Sequence, residues 1–156
     1  MTVPASSANI GPGFDCLGVA VDLPFHLDVG EPRELATEID QHHPATQAFR
    51  DAGGSGSLFA ETQIPPGKGL GFSGAARVAG LAAASLQRAG AIRYLELLTQ
   101  AGNLEGHSDN VAASIYGSIT ATNNHSVVRL RCPADLSIVV WIPDNKTSTN
   151  LSRNRL

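Results

Sequence analysis

Residues 65–76 read PPGKGLGFSGAA, and the reading of this stretch decides the fold around it. Four glycines, one lysine and one serine lead straight into an alanine-rich run. Glycine loses more conformational freedom on folding than any other residue, so a cluster of it marks a backbone with an unusual task. Two readings fit the residues. One is a phosphate cradle, in which glycines let backbone N–H groups approach an anion and the following helix offers its positive end. Lys68 and Arg77 would add charge there, and Ser73 a hydroxyl for phosphate or magnesium. The other is an ordinary glycine-rich turn with Ser73 as the helix N-cap. The stretch is not a Walker A loop, because position 62 is Thr and Lys68 is followed by Gly69. Gly67, Gly69 and Gly71 alternate without the final spacing of a dinucleotide fingerprint.

Outward from the loop, SLFAETQI (57–64) reads as a strand feeding it, and the residues from Ser73 to about Arg88 as a helix. Ala75, Val78, Ala79, Ala82 and Leu86 form one face of that helix. Further upstream, LGVAVDLPFHLDV (17–29) reads as one or two strands with an irregularity or edge position at Pro24. SSANIGPGFD (6–15) before it reads as a loop. Pro44 opens a helix through ATQAFRDAG that Gly53 and Gly54 stop. Downstream, Tyr94 to Leu104 and residues 111–116 read as helices, with Ser108, Asp109 and Asn110 as candidate caps of the second. SITAT (118–122) and LSIVVWI (136–142) read as strands, the second as a central one because it is almost continuously apolar. The pattern is α+β rather than a regular βαβ alternation.

Composition narrows the function classes. The 156 residues fit one domain, 42% hydrophobic and 16% charged, with a formal net charge of −3. That balance gives no general attraction to nucleic acid or to an anionic membrane. Aromatic residues make up only 5%, too few for a base-stacking platform. Cys16 and Cys132 form no metal or redox motif, so two free thiols and a cytoplasmic location are expected.

Four stretches carry a family resemblance. PPGKGLGFSGAA resembles the second motif of the GHMP kinases, P-x-x-x-G-L-G-S-S-A-A. VPASSANIGPGFDCLGVAVDL (3–23) resembles the N-terminal signature of the homoserine kinases within that superfamily. LEGHSDNVAASIYG (104–117) resembles their E-G-H-x-D-N-V-A-P segment, and VVWIPDNKTSTNLSR (139–153) their V-P-x-x-x-x-S-T-x-x-A-R element. The four occur in family order along almost the whole chain. The resemblance implies a ribosomal-protein-S5-like N-terminal domain over residues 1–156. Residues 135–156 would begin or link to a ferredoxin-like C-terminal domain that is largely absent from this chain. It further implies ATP- and Mg²⁺-dependent phosphorylation of the side-chain hydroxyl of L-homoserine, in threonine biosynthesis, and leaves room for a homodimer.

Residue roles follow from the same resemblance. Asn9 and Asp15 would bind homoserine, with the Asp15 carboxylate suited to the ammonium group. Pro66, Gly67, Lys68, Gly69, Leu70, Gly71, Ser73 and Gly74 would hold the nucleotide phosphates. Glu105 and Ser73 would ligate Mg²⁺, a hard cation that takes one or two protein oxygens and completes its shell with phosphate. His107, Asp109 and Asn110 would line the acceptor pocket, Asp109 holding the ammonium and Asn110 aligning the hydroxyl. Thr149 and Arg153 would bind the acceptor, Arg153 through its planar fork. His43 stands where the family often has a nucleotide-contacting Asn, and Phe72 replaces the first serine of the Ser-Ser pair. The alternatives are a GHMP-type kinase for another small hydroxylated metabolite and an inactive nucleotide-binding module.

Overall fold

The computed structural model describes residues 1–123, 126–133 and 135–142. An antiparallel sheet forms around one long strand, β2 (Leu17–Val29). β2 pairs with β1 (Thr2–Ala8) along residues 18–26 and with β4 (Leu58–Thr62) along 25–29. Its first residues pair with β5 (Ile119–Thr122). β3 (Thr37–Glu38) and β6 (Val127–Leu130) extend the sheet beyond β4 and β5. β1 runs three residues into the stretch 6–15 expected to be a loop. Its PASSA core has too little apolar alternation to read as a strand, and pairing with β2 decides it. The irregularity expected at Pro24 is present. Pro24 sits opposite Pro4, neither can donate a ladder hydrogen bond, and the register shifts between Pro4 and Ala5.

The helices are α1 (Pro44–Asp51), α2 (Phe72–Ala89), α3 (Tyr94–Glu105) and α4 (Asp109–Tyr116). Pro44 opens α1 as expected, and the His43 ring accepts a hydrogen bond from the Ala45 N–H as its N-cap. Gly90 and Gly106, both left-handed, end α2 and α3. α2 and α4 lie against β1 and β2, while α1 and α3 flank α2. Because neighbours cover α2 on several sides, its buried set is broader than one stripe and takes in Ala76, Leu81, Ala83 and Ala84. Leu86 lies beyond that cover and is exposed, contrary to the expected face. Small side chains let α1 and α2 approach closely. A Cβ on Gly80 would stand 2.2 Å from the Ala45 carbonyl oxygen. The core closes over Phe25, Leu27, Phe49, Ile64 and Leu98, each contributing roughly 1.5–3 kcal/mol by leaving water.

One expected element is not a strand. Residues 136–142 pair with no strand among the described residues, and Val139 and Trp141 are 95% and 84% exposed. A continuous apolar run is a central strand only when neighbours cover both of its faces, and here β6 is the last rung of the sheet. No helix among the described residues is long and apolar enough to cross a membrane.

Candidate active site

The glycine loop and the start of α2 line one side of a cleft of about 420 Å³. Gly67, Gly69 and Gly71 all have left-handed backbone, with φ of 73°, 74° and 67°. Left-handed residues at alternate positions suit a concavity of successive N–H groups. Gly71, not Ser73, is the N-cap of α2, and as a glycine it offers no side-chain cap. The helix therefore presents its early N–H groups and the positive end of its dipole to the cleft. Lys68, Leu70, Phe72, Ser73 and Gly74 complete this wall.

Opposite stand Glu105, the last residue of α3, and His107 and Asn110 around the start of α4. Ser73 Oγ donates to Glu105 Oε2 at 3.0 Å, and Arg77, one turn further along α2, pairs with Glu105 Oε1. The carboxylate is 10% exposed and held from two points on one face of α2. The donor set, one carboxylate and one hydroxyl beside the glycine loop, fits a hard divalent cation. Among the described residues no group of three His, Cys, Asp or Glu forms an all-protein cage.

Asp109 is fully buried and lies behind the wall rather than on it. Its Oδ1 accepts from the Asn110 N–H at 2.8 Å and lies 2.5 Å from His107 Nδ1. Its carboxylate, expected to hold a substrate ammonium, here contacts His107 and Asn110, which do line the cleft. Asn9 lines it too, at the end of β1, and its Oδ1 accepts from the Asp15 N–H at 2.9 Å. Asn9 and Asp15 both have positive φ, so this side chain–backbone bond shapes the turn. Asp15 is exposed and off the cleft wall.

Two further candidates lie off the wall. Pro66 is exposed before the loop turns in. His43 stacks on Phe25, with ring centroids 5.9 Å apart, and meets Phe72 edge-on at 5.7 Å. Its ring nitrogen caps α1, so it supports Phe72 from behind instead of reaching the cleft. Thr149 and Arg153 lie outside the described residues. Reading the sequence missed Ser6 and Ser114, buried hydroxyls behind Asn110, and the pairing of Arg77 with Glu105. The i, i+4 spacing of Ser73 and Arg77 on a helix is the one signal that points to a shared target.

The GHMP kinases N terminal domain family matches residues 33–118, more than half of the chain. The chain belongs to the GHMP kinase family. Among GHMP kinase relatives, it is 36% identical to the homoserine kinase of Leuconostoc citreum, over 99% of this chain and 58% of that protein. It is 34% identical to the homoserine kinase of Desulfitobacterium hafniense, over 99% of this chain and 59% of that protein. The structure of a homoserine kinase described as putative, from Listeria monocytogenes, superposes with a TM-score of 0.74 at 28% identity, covering 98% of this chain and 62% of that one. The chain thus spans less than two thirds of the length of each. The mixed α and β architecture expected from the GHMP kinase resemblance is the one these superpositions share.

Proposed function

We propose that this chain supplies the phosphate cradle and acceptor-aligning residues of a kinase that uses ATP and Mg²⁺ to phosphorylate the side-chain hydroxyl of L-homoserine. The observation that carries the reading is the convergence on one cleft of the glycine loop, the Ser73–Glu105 pair and Asn110. Phosphoryl transfer asks for positioning and charge neutralisation more than covalent chemistry, and these groups supply both. The loop amides and Lys68 hold the nucleotide phosphates. Ser73 and Glu105 would hold Mg²⁺, which would supply neutralisation of the phosphate charge. Asn110 aligns the acceptor hydroxyl, and Asn9 and His107 shape the pocket around the amino acid. The acceptor oxygen bonds to the terminal phosphorus, the bond from that phosphorus to its bridging oxygen breaks, ADP leaves, and the acceptor's proton passes to a phosphoryl oxygen. The homoserine kinase relatives support the choice of acceptor. Their greater length supports residues 1–156 as an N-terminal domain, with 135–156 leading toward a second one.

Thermal-shift titration tests the reading, since a ligand stabilises the state that binds it, by about 2.7 kcal/mol at a hundredfold excess over Kd. Mg·ATP is expected to raise the midpoint, and homoserine to raise it further. No response to Mg·ATP refutes the cradle. A response to Mg·ATP with none to homoserine moves the acceptor to another hydroxylated metabolite.

A further inference from the structure

Ser6 is fully buried on β1, yet its polar atoms reach both the glycine loop and α4. Its N–H donates to the Leu70 carbonyl at 3.2 Å and ties the strand to the glycine loop. Its Oγ accepts from Asn110 Nδ2 at 3.2 Å and from Ser114 Oγ at 3.0 Å, both on α4. The Ser6 carbonyl oxygen lies 3.3 Å from the same Asn110 Nδ2. The meeting point is filled. A Cβ on Gly71 would stand 2.3 Å from Ser6 Oγ and 3.1 Å from Asn110 Nδ2.

This arrangement decides which way round the Asn110 amide sits. A backbone carbonyl can only accept a hydrogen bond, so the amide's NH₂ must face Ser6. Oδ1 is then the atom left for the cleft that Asn110 lines. An acceptor hydroxyl that donates its hydrogen to Oδ1 keeps its lone pairs free for phosphorus. An amide turned the other way would donate to that oxygen and occupy a lone pair that must attack.

We propose that Ser6, backed by Ser114, is a positioning residue that holds Asn110 with Oδ1 toward the acceptor hydroxyl and fixes the glycine loop's distance from it. The catalytic part of this claim rests on the reading of Asn110 given above. The orientation of the amide does not.

The side-chain amide of Asn110 reports directly, by NMR on the ¹⁵N-labelled chain, assigned by its disappearance in Asn110→Ala. In the unsubstituted protein its NH₂ protons are expected to exchange at least tenfold more slowly than those of exposed Asn9. In Ser6→Ala the shift should move and the protection fall, while the backbone spectrum stays folded. Fast exchange in the unsubstituted protein overturns the proposal without any variant, and so does an unchanged Asn110 signal in Ser6→Ala. In homoserine-dependent turnover, Ser6→Ala should lower kcat about ten- to a hundredfold with KM little changed, as a misplaced reacting group does. Ser114→Ala should lower it less. Full turnover by Asn110→Ala sinks the reading of Asn110, while the amide signal still judges the role of Ser6. A defective Asn110→Ala beside a fully active Ser6→Ala sinks the role of Ser6 alone.

Discussion

At Gly71 one methyl group is enough to disturb the site. An alanine there would take up a left-handed backbone and press its Cβ against Ser6 Oγ, the Ser6 carbonyl and Asn110. Overpacking of this kind costs about 1–3 kcal/mol. Gly71→Ala should therefore lower the urea midpoint and weaken Mg·ATP binding together. Glu105→Gln should behave differently. It keeps the shape and removes the charge, leaving Arg77 without its carboxylate partner. ADP binding without metal should change little, while the extra affinity that Mg²⁺ confers should fall at least tenfold by calorimetry. At this scale the sequence was legible where a local motif names a residue: the loop glycines, Ser73, Glu105 and Asn110 all reached the cleft. Ser6 was not legible, because its partners on α4 lie 104 and 108 residues away and only the packing of strand on helix brings them together. That Asp109 is buried behind the cleft wall was not legible either, for a related reason. Motif position gives no sign of which of two adjacent polar side chains faces inward.

The elements carry their own tests. Gly80 lies in the middle of α2, where alanine would ordinarily add up to about 1 kcal/mol of helix stability. Here the added Cβ would meet the Ala45 carbonyl at 2.2 Å, so Gly80→Ala should destabilise the fold by about 1–3 kcal/mol and push α1 from α2. A stabilised variant would mean that the two helices are not so closely apposed. At the start of α1, burial against Phe25 and Phe72 holds the His43 imidazole below its ordinary pKa of 6.5, against the pull of Asp40. The unfolded chain then binds more protons than the folded one between the two values. The contribution of His43 is complete above about pH 6.5 and is lost as the pH falls from there through the folded value. Protonation would also end the acceptance of the Ala45 N–H. His43→Asn, which keeps a good cap and cannot titrate, should flatten that part of the stability–pH curve. An unchanged curve would contradict the buried neutral ring. The start of α1 was legible because Pro44 marks it by local chemistry, whereas Gly71, not the expected Ser73, caps α2. The run 136–142 was misread because apolar content signals burial only if something covers it.

For the whole molecule, one architecture brings the groups proposed to face the phosphates and the acceptor together. β1 carries Ser6 and leads directly into Asn9, the glycine loop leads into α2 with Ser73, and the α3–α4 corner carries Glu105, His107 and Asn110. Ser6 links β1 and the glycine loop to α4 through hydrogen bonds, so the proposed binding at the loop and the proposed alignment of the acceptor share one support. The cleft walls were readable from the GHMP kinase resemblance, because three of its four motifs supply the lining residues, whereas the Ser6 link between them was not. The most direct measurement is coupled ADP release with Mg·ATP, comparing L-homoserine with no acceptor, L-serine and L-threonine, on this chain and on the longest chain its gene encodes. Release that requires homoserine and is lost in Asn110→Ala is the predicted result. Mg·ATP binding without homoserine-dependent release from either chain would contradict the assignment.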